Sequence, residues 1–233
     1  MLRMVAAVAL AGALGAAGLS IVPQGAPSKG AWRLPLSDAS GLTLHGVKAS
    51  GATHDGKRAL QLAQATDAPQ EAYAVVSGPL LQDGRIEVDI AGRPAAGADA
   101  GARGFVGVAF RMKTDQSAFE CFYLRPTNGR ADDQLRRNHS TQYISFPDFP
   151  WERLRRETPG VYESYVDLEP GAWTHVRIEF RDHRAMLFVN QAPQPVLIVN
   201  DLKLTPATGA VALWLGPGTE AWFRDLVVTS VGS

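Results

Sequence analysis

Apolar and polar side chains alternate with a period of two in one short segment after another, and that pattern confines the chain to β-sheet. In Arg85-Ile86-Glu87-Val88-Asp89-Ile90, three apolar groups point one way and three charges the other, as in a strand with one buried face. Phe105–Met112 groups Val106, Val108, Phe110 and Met112 opposite Gly107, Ala109 and Arg111, and Phe119–Arg125 sets Phe122 and Leu124 against Cys121, Tyr123 and Arg125. Thr174, Val176, Ile178 and Phe180 alternate with Trp173, His175, Arg177 and Glu179. Arg184–Asn190 follows a tight Arg181-Asp182-His183 turn, as the second arm of a hairpin would. Val211, Leu213 and Leu215 alternate with Ala210, Ala212 and Trp214, and Trp222–Thr229 closes the series. Only Pro150–Glu157 reads as helix. The 23 Gly and 15 Pro among 233 residues supply turns for many short strands and argue against a helical bundle.

One strongly apolar face per strand suits packing between two sheets. The small residues Gly107, Ala109, Ala210 and Ala212 on the other face let a sheet curve and leave a groove. The expected fold is therefore all-β: a jelly-roll sandwich of two antiparallel sheets, one face concave, with one long insertion. Lys plus Arg and Asp plus Glu number 23 each, so no global field attracts nucleic acid. A single cysteine, Cys121, permits no internal disulfide and no cysteine-based zinc site, and it reads as a small buried apolar group. The five histidines are scattered and no Asp-x-Asp-x-Asp run occurs; no metal ligand set and no cofactor are expected. A structural calcium held by backbone carbonyls leaves no sequence signature and stays open.

The N-terminus reads as a secretory leader. Arg3 supplies a positive charge, Met4–Leu19 is uncharged and apolar, Ala16 and Gly18 offer small residues for cleavage, and Pro23-Gln24-Gly25-Ala26-Pro27 breaks any continuing helix. The alternative is a membrane anchor, for which the run falls short of the roughly 20 residues that span a bilayer. The expected organisation is a signal peptide over residues 1–22, a linker and first edge segment over 23–41, and the sandwich over 42–230. The product is expected to be secreted or periplasmic, with no stable membrane insertion after cleavage.

Several strands together resemble a known group. Gly56-Lys57-Arg58-Ala59-Leu60-Gln61-Leu62, Gly84-Arg85-Ile86-Glu87-Val88-Asp89-Ile90 and Gly107-Val108-Ala109-Phe110-Arg111 look like early strands of concanavalin A-like domains. Trp173-Thr174-His175-Val176-Arg177-Ile178, Leu187-Phe188-Val189-Asn190 and Phe223-Arg224-Asp225-Leu226 are similar to the late ones. The resemblance runs from about Leu42 to Thr229, and within the superfamily it is nearest to laminin-G-like and 3-keto-disaccharide hydrolase-like domains of exported bacterial proteins. It implies a carbohydrate or glycoconjugate partner. As alternatives it implies a hydrolase acting on glycosidic bonds, or a structural module without a small ligand, because one fold hosts many functions.

Two regions carry candidate chemistry. Glu87 and Asp89 share a strand face and resemble the Glu-x-Asp-x-(x)-Glu motif of laminarinase-type glycanases, in which paired carboxylates serve as nucleophile and acid. The third carboxylate of that motif falls here at Ala91 or Gly92, which favours charges simply paired across the strand. The second region is the 47 residues between Arg125 and Trp173, too long for a hairpin loop. It is rich in aromatics, including Tyr143, Phe146, Phe149, Trp151, Tyr162 and Tyr165, and in arginines. A flap held down by Trp151 and its aromatic neighbours and folded over one sheet face is expected. Sugars need aromatic faces for their C–H surfaces and planar polar groups for their hydroxyls. The candidate ligand residues are Tyr123, Arg125, Arg130, Asn138, His139, Trp151 and Trp214. If turnover occurs, its acid and base are to be sought among His139, Glu120, Glu163, Glu87 and Asp89. Whether Trp214 lies open in a groove or beneath the flap is left undecided by strand parity.

Overall fold

The computed structural model describes residues 30–65 and 71–231; the expected leader lies outside the described residues. The chain forms two antiparallel sheets packed face to face, a concanavalin A-like jelly-roll sandwich. The first sheet (sheet A) is ordered β13 (Leu197–Val199), β12 (Arg184–Val189), β11 (Thr174–Arg181), β6 (Gly84–Pro94), β15 (Thr219–Ser230), β4 (Lys57–Gln64), β3 (Val47–His54), with β1 (Trp32–Leu34) also pairing β15. The second (sheet B) is ordered β10 (Glu163–Ser164), β9 (Thr141–Phe146), β8 (Phe119–Leu124), β7 (Val106–Met112), β14 (Ala210–Leu215), β5 (Ala72–Val76), β2 (Leu42–His45).

The core is made by the alternation. On β6, Ile86, Val88 and Ile90 are buried while Arg85, Glu87 and Asp89 face outward. On β11, Val176, Ile178 and Phe180 turn inward in the same way. The two layers meet through pairs such as Phe110 of sheet B and Phe180 of sheet A, with ring centroids 4.7 Å apart. Full burial of such a side chain stabilises the fold by about 1.5–3 kcal/mol. Cys121 is buried and unpaired, and burial pushes its thiol well above the usual range.

The long segment after Arg125 differs from a simple flap. It makes a short helix α1 (Gln134–Arg137), returns as β9 to extend sheet B beside β8, and then forms α2 (Trp151–Glu157) and the short edge strand β10. β9 lacks a sequence signature because both its faces are covered: Thr141 to Ser145 are all buried, polar and apolar alike. Trp151 does not pin the segment down, since 38% of it is exposed; Leu154, Tyr143 and Tyr162 are the buried anchors.

Gly107 occupies a crowded position in the middle of sheet B. A Cβ there would press into the Phe122 carbonyl oxygen and lie 2.5 Å from the Tyr123 Cβ, both fixed by the β7–β8 ladder. Gly107→Ala is expected to destabilise the domain by about 1–3 kcal/mol, the usual cost of overpacking a filled site. Urea unfolding measures it, and an unchanged midpoint would show that the strand yields without cost.

Candidate functional site

A single cross-strand row crosses the whole outer face of sheet B. The pairings His45↔Tyr73, Tyr73↔Trp214, Trp214↔Gly107, Gly107↔Tyr123, Tyr123↔Gln142 and Gln142↔Glu163 place these seven residues side by side. Directly opposed residues on antiparallel strands project to the same face. His45 stacks on Tyr73 at 4.6 Å. Over the bare Gly107, the rings of Trp214 and Tyr123 approach to 4.8 Å. Trp214 is 5% exposed, so it is the floor of a hollow and not an open platform.

One cavity lies over this row and a second adjoins it, the two sharing Gly101, Phe105 and Trp151 in their walls. The first encloses about 370 Å³. Its floor is Trp214 and Tyr123, its walls are Phe105 and Ile144 with Pro150 and Trp151 at the start of α2, and its carboxylates are Glu71, Asp99 and Glu152. Glu71 accepts the Trp214 indole N–H at 2.7 Å. Burial raises the Glu71 pKa; the indole bond opposes the rise and the charge of Glu152 adds to it. The second cavity, about 380 Å³, is lined by Arg103, Arg125, Arg136, Arg155 and His139.

Arg125 ties the row to the basic cavity. It is 4% exposed and donates to the Tyr123 hydroxyl at 2.9 Å, the Gln142 amide oxygen at 3.1 Å and the His139 carbonyl at 3.2 Å. Glu163 closes the network. Arg155 grips it with Nη2 at 2.6 Å and Nε at 3.0 Å, His139 Nε2 lies 3.1 Å away, and Arg125 stands at 3.8 Å. Burial lowers the His139 pKa and Glu163 partly counters that, while Arg155 and Arg125 lower it further.

The structure thus brings Tyr123, Arg125, His139, Trp151, Trp214 and Glu163 together. Arg130 stands apart: its guanidinium is paired at the surface with Asp167 and Glu169, each at 2.8 Å. Asn138 ends α1, accepts from Gln134 at 2.8 Å, and lines a neighbouring hollow with Glu163 and Tyr165. Glu120 is sealed inside the sandwich, where it accepts the Tyr143 hydroxyl at 2.6 Å and the Leu204 N–H at 2.8 Å. A carboxylate so enclosed has no route to a sugar in solvent. Sequence reasoning missed Glu71, Asp99, Arg103 and Glu152. Glu71 meets its partner Trp214 across 143 residues, and no local pattern marks such a contact.

Glu87 and Asp89 lie on the outer face of sheet A, away from this cleft. His175 stands directly across from Asp89, with Nδ1 to Oδ1 at 2.7 Å and Nε2 to Glu87 at 3.9 Å. Arg85 also donates to Glu87 at 2.6 Å. The bond to Asp89 and the nearby Glu87 carboxylate raise His175 to about 9, and the neighbouring His175, with Arg85, lowers Glu87 to about 2. The pair is an internally neutralised cross-strand cluster, not two free carboxylates awaiting a glycoside.

No family model and no curated protein matches the sequence. Solved structures with the same sandwich include the carbohydrate-binding module CBM66 from Bacillus subtilis, at 14% identity and TM-score 0.55 over 82% of this chain and 96% of that one. A Bacillus subtilis protein of unknown function with a galectin-like fold matches at 11% and 0.54 over 85% and 94%. The exoplasmic/lumenal domain of VIP36 in its Ca²⁺/Man-bound form matches at 8% and 0.51 over 83% and 84%. At these identities the likeness is one of fold, and the narrower resemblance to 3-keto-disaccharide hydrolase-like domains is not carried by it.

The His175 cluster sets a pH dependence. Its folded pKa, about 9, exceeds the ordinary 6.5, so its stabilisation is complete below pH 6.5 and is lost as pH rises through 9. The depressed pKa of Glu87 acts in the other direction: its contribution is present above 4.5 and lost as pH falls through 2. Thermal unfolding is expected to show a fall in Tm between pH 6.5 and 9 that flattens in His175→Gln. Parallel profiles for the two proteins would remove the cluster from the pH response.

Proposed function

We propose that the domain binds carbohydrate in the cleft over sheet B. The observation that carries this reading is the aromatic half-cleft, in which Trp214, Tyr123, Phe105 and Trp151 surround a volume of about 370 Å³ and the carboxylates of Glu71, Asp99 and Glu152 line the same space. Aromatic faces receive the C–H side of a pyranose, and carboxylates accept hydrogen bonds from its hydroxyls. Support comes also from the neighbours in fold, one named a carbohydrate-binding module and one a mannose-bound form. Export rests on the Met1–Leu19 pattern; among the described residues no helix is long and apolar enough to cross a membrane. No metal or cofactor is part of the reading, and a structural calcium remains outside it.

Trp151 tests the site because it is 38% exposed and its loss leaves the core intact. On a glycan array followed by calorimetry, Trp151→Ala is expected to weaken binding of the best glycan by about tenfold, or ~1.4 kcal/mol, with Tm unchanged. Undiminished affinity would take the ligand out of this cleft.

The hydrolase reading is favoured by one feature, the raised pKa of Glu71 in a cavity it shares with Glu152. A carboxyl whose pKa is raised by burial is the usual form of a glycosidic acid. Under that reading, a reducing-end assay on the tightest-binding oligosaccharide shows turnover in the wild type and none in Glu71→Gln, with binding retained. Absence of turnover in the wild type leaves the domain a binder.

A further inference from the structure

The basic half of the cleft holds more positive charge than its own fold neutralises. Its four arginines come from separate segments: Arg103 from the loop after β6, Arg125 from the end of β8, Arg136 from α1 and Arg155 from α2. Two carboxylates stand against them. Glu163 is shared by Arg155, Arg125 and His139. Asp133 caps α1, with Oδ1 accepting the Arg136 backbone N–H at 3.0 Å.

Arg103 and Arg136 form no salt bridge among the described residues. Arg103 donates Nη1 to the carbonyls of Ala100 at 2.6 Å and Ala102 at 3.0 Å. Arg136 donates to the Asn128 amide oxygen at 2.9 Å and to Thr127. These bonds orient both guanidiniums without neutralising them. Burial lowers the Arg103 pKa, and the neighbouring charges of Arg136 and Arg125 lower it further. Like charges held together in a partly desolvated hollow cost free energy, and an anion relieves that cost.

The other half of the cleft has the opposite sign, with Glu71, Asp99 and Glu152. Trp151 is the partition, lining both halves with the Arg155 guanidinium 4.6 Å from its ring centroid. A ligand spanning both halves meets acceptors at one end and fixed donors at the other.

We propose that the glycan taken by this cleft is acidic, a sugar bearing a carboxylate or sulfate whose oxygens are held by Arg103 and Arg136 while its ring lies beside Trp151 and its hydroxyls face Glu71 and Glu152. This rests on the carbohydrate-binding reading above and adds the class of sugar and its orientation. Both oxyanions match the guanidinium fork, so the shared chemistry is an oxyanion on a sugar, and probes of each kind separate the two.

Calorimetry with trigalacturonic acid and its carboxyl-reduced counterpart forms one arm, and a sulfated galactose oligosaccharide with its desulfated counterpart forms the other. In at least one arm the acidic member is expected to bind about tenfold or more tighter than its neutral counterpart, the size expected of one charge-assisted contact. That preference should shrink to about threefold or less in 1 M salt, where the Debye length is about 3 Å. It should also collapse in Arg103→Gln/Arg136→Gln while affinity for the neutral sugar holds. Arg103→Gln alone gives up only two bonds to neighbouring carbonyls, and it should show a partial loss even if the double variant fails to fold. Neutral glycans bound with no acidic preference, or a preference that survives both variants, overturn this proposal and leave the carbohydrate reading standing. Binding of neither acidic nor neutral glycans overturns both.

Discussion

Gly107 is the point on which the outer face of sheet B turns. Side chains directly opposite each other on adjacent antiparallel strands crowd together, and a row of large ones needs a gap. Here the gap is one missing side chain, and the Trp214 and Tyr123 rings close over it to 4.8 Å. That contact sets the floor of the cleft. Because Tyr123 is fixed, its hydroxyl fixes Arg125, and Arg125 in turn reaches Gln142 and the Glu163 cluster. A row of backbone pairings therefore transmits order from the aromatic half of the site to the basic half without any loop having to supply it.

The walls of the cleft are built differently. Arg103, Asp99 and Phe105 come from the loop after β6, and Trp151, Glu152 and Arg155 from α2. A sheet floor and loop walls are a common division in binding domains: the sheet holds position, and the loops set chemistry. The charge follows the same division. The chain is neutral overall, with 23 side chains of each sign, yet it sorts them. On sheet A the outer charges neutralise one another, as His175 does with Asp89 and Glu87. Over sheet B they are separated into an acidic and a basic hollow on either side of Trp151. Segregation of this kind creates a local field that a neutral total conceals.

Much of the sandwich is legible in the alternation of single strands. The inward faces of β6, β7, β8, β11 and β14 follow from it, and so does the joint placement of Tyr123, Arg125 and Trp214 on the opposite face. The limit is reached where burial is two-sided. β9 is covered on both faces, so its side chains carry no period-two contrast, and the segment reads as part of an insertion when it is a strand of sheet B. The limit is reached again at Trp151, where aromatic content suggests an anchor and the fold leaves the ring half open. Glu120 shows the converse case: a charged residue in an apolar strand looks chemically available, but two hydrogen bonds hold it inside the core.

The period of the β-backbone is a local property, so the order of residues suffices to say which side chains share a face and that the chain forms a two-layer β-structure. It suffices also for the neutral charge total and the absence of a cysteine framework. Which strands lie side by side, and in what register, depends on pairing between segments far apart in the chain. His45, Tyr73, Trp214, Gly107, Tyr123, Gln142 and Glu163 form one row only because seven strands from across the chain align there. The contact of Glu71 with Trp214 and the gathering of four arginines are likewise products of folding. Each joins groups with no relation in sequence, brought together by the burial of the faces behind them.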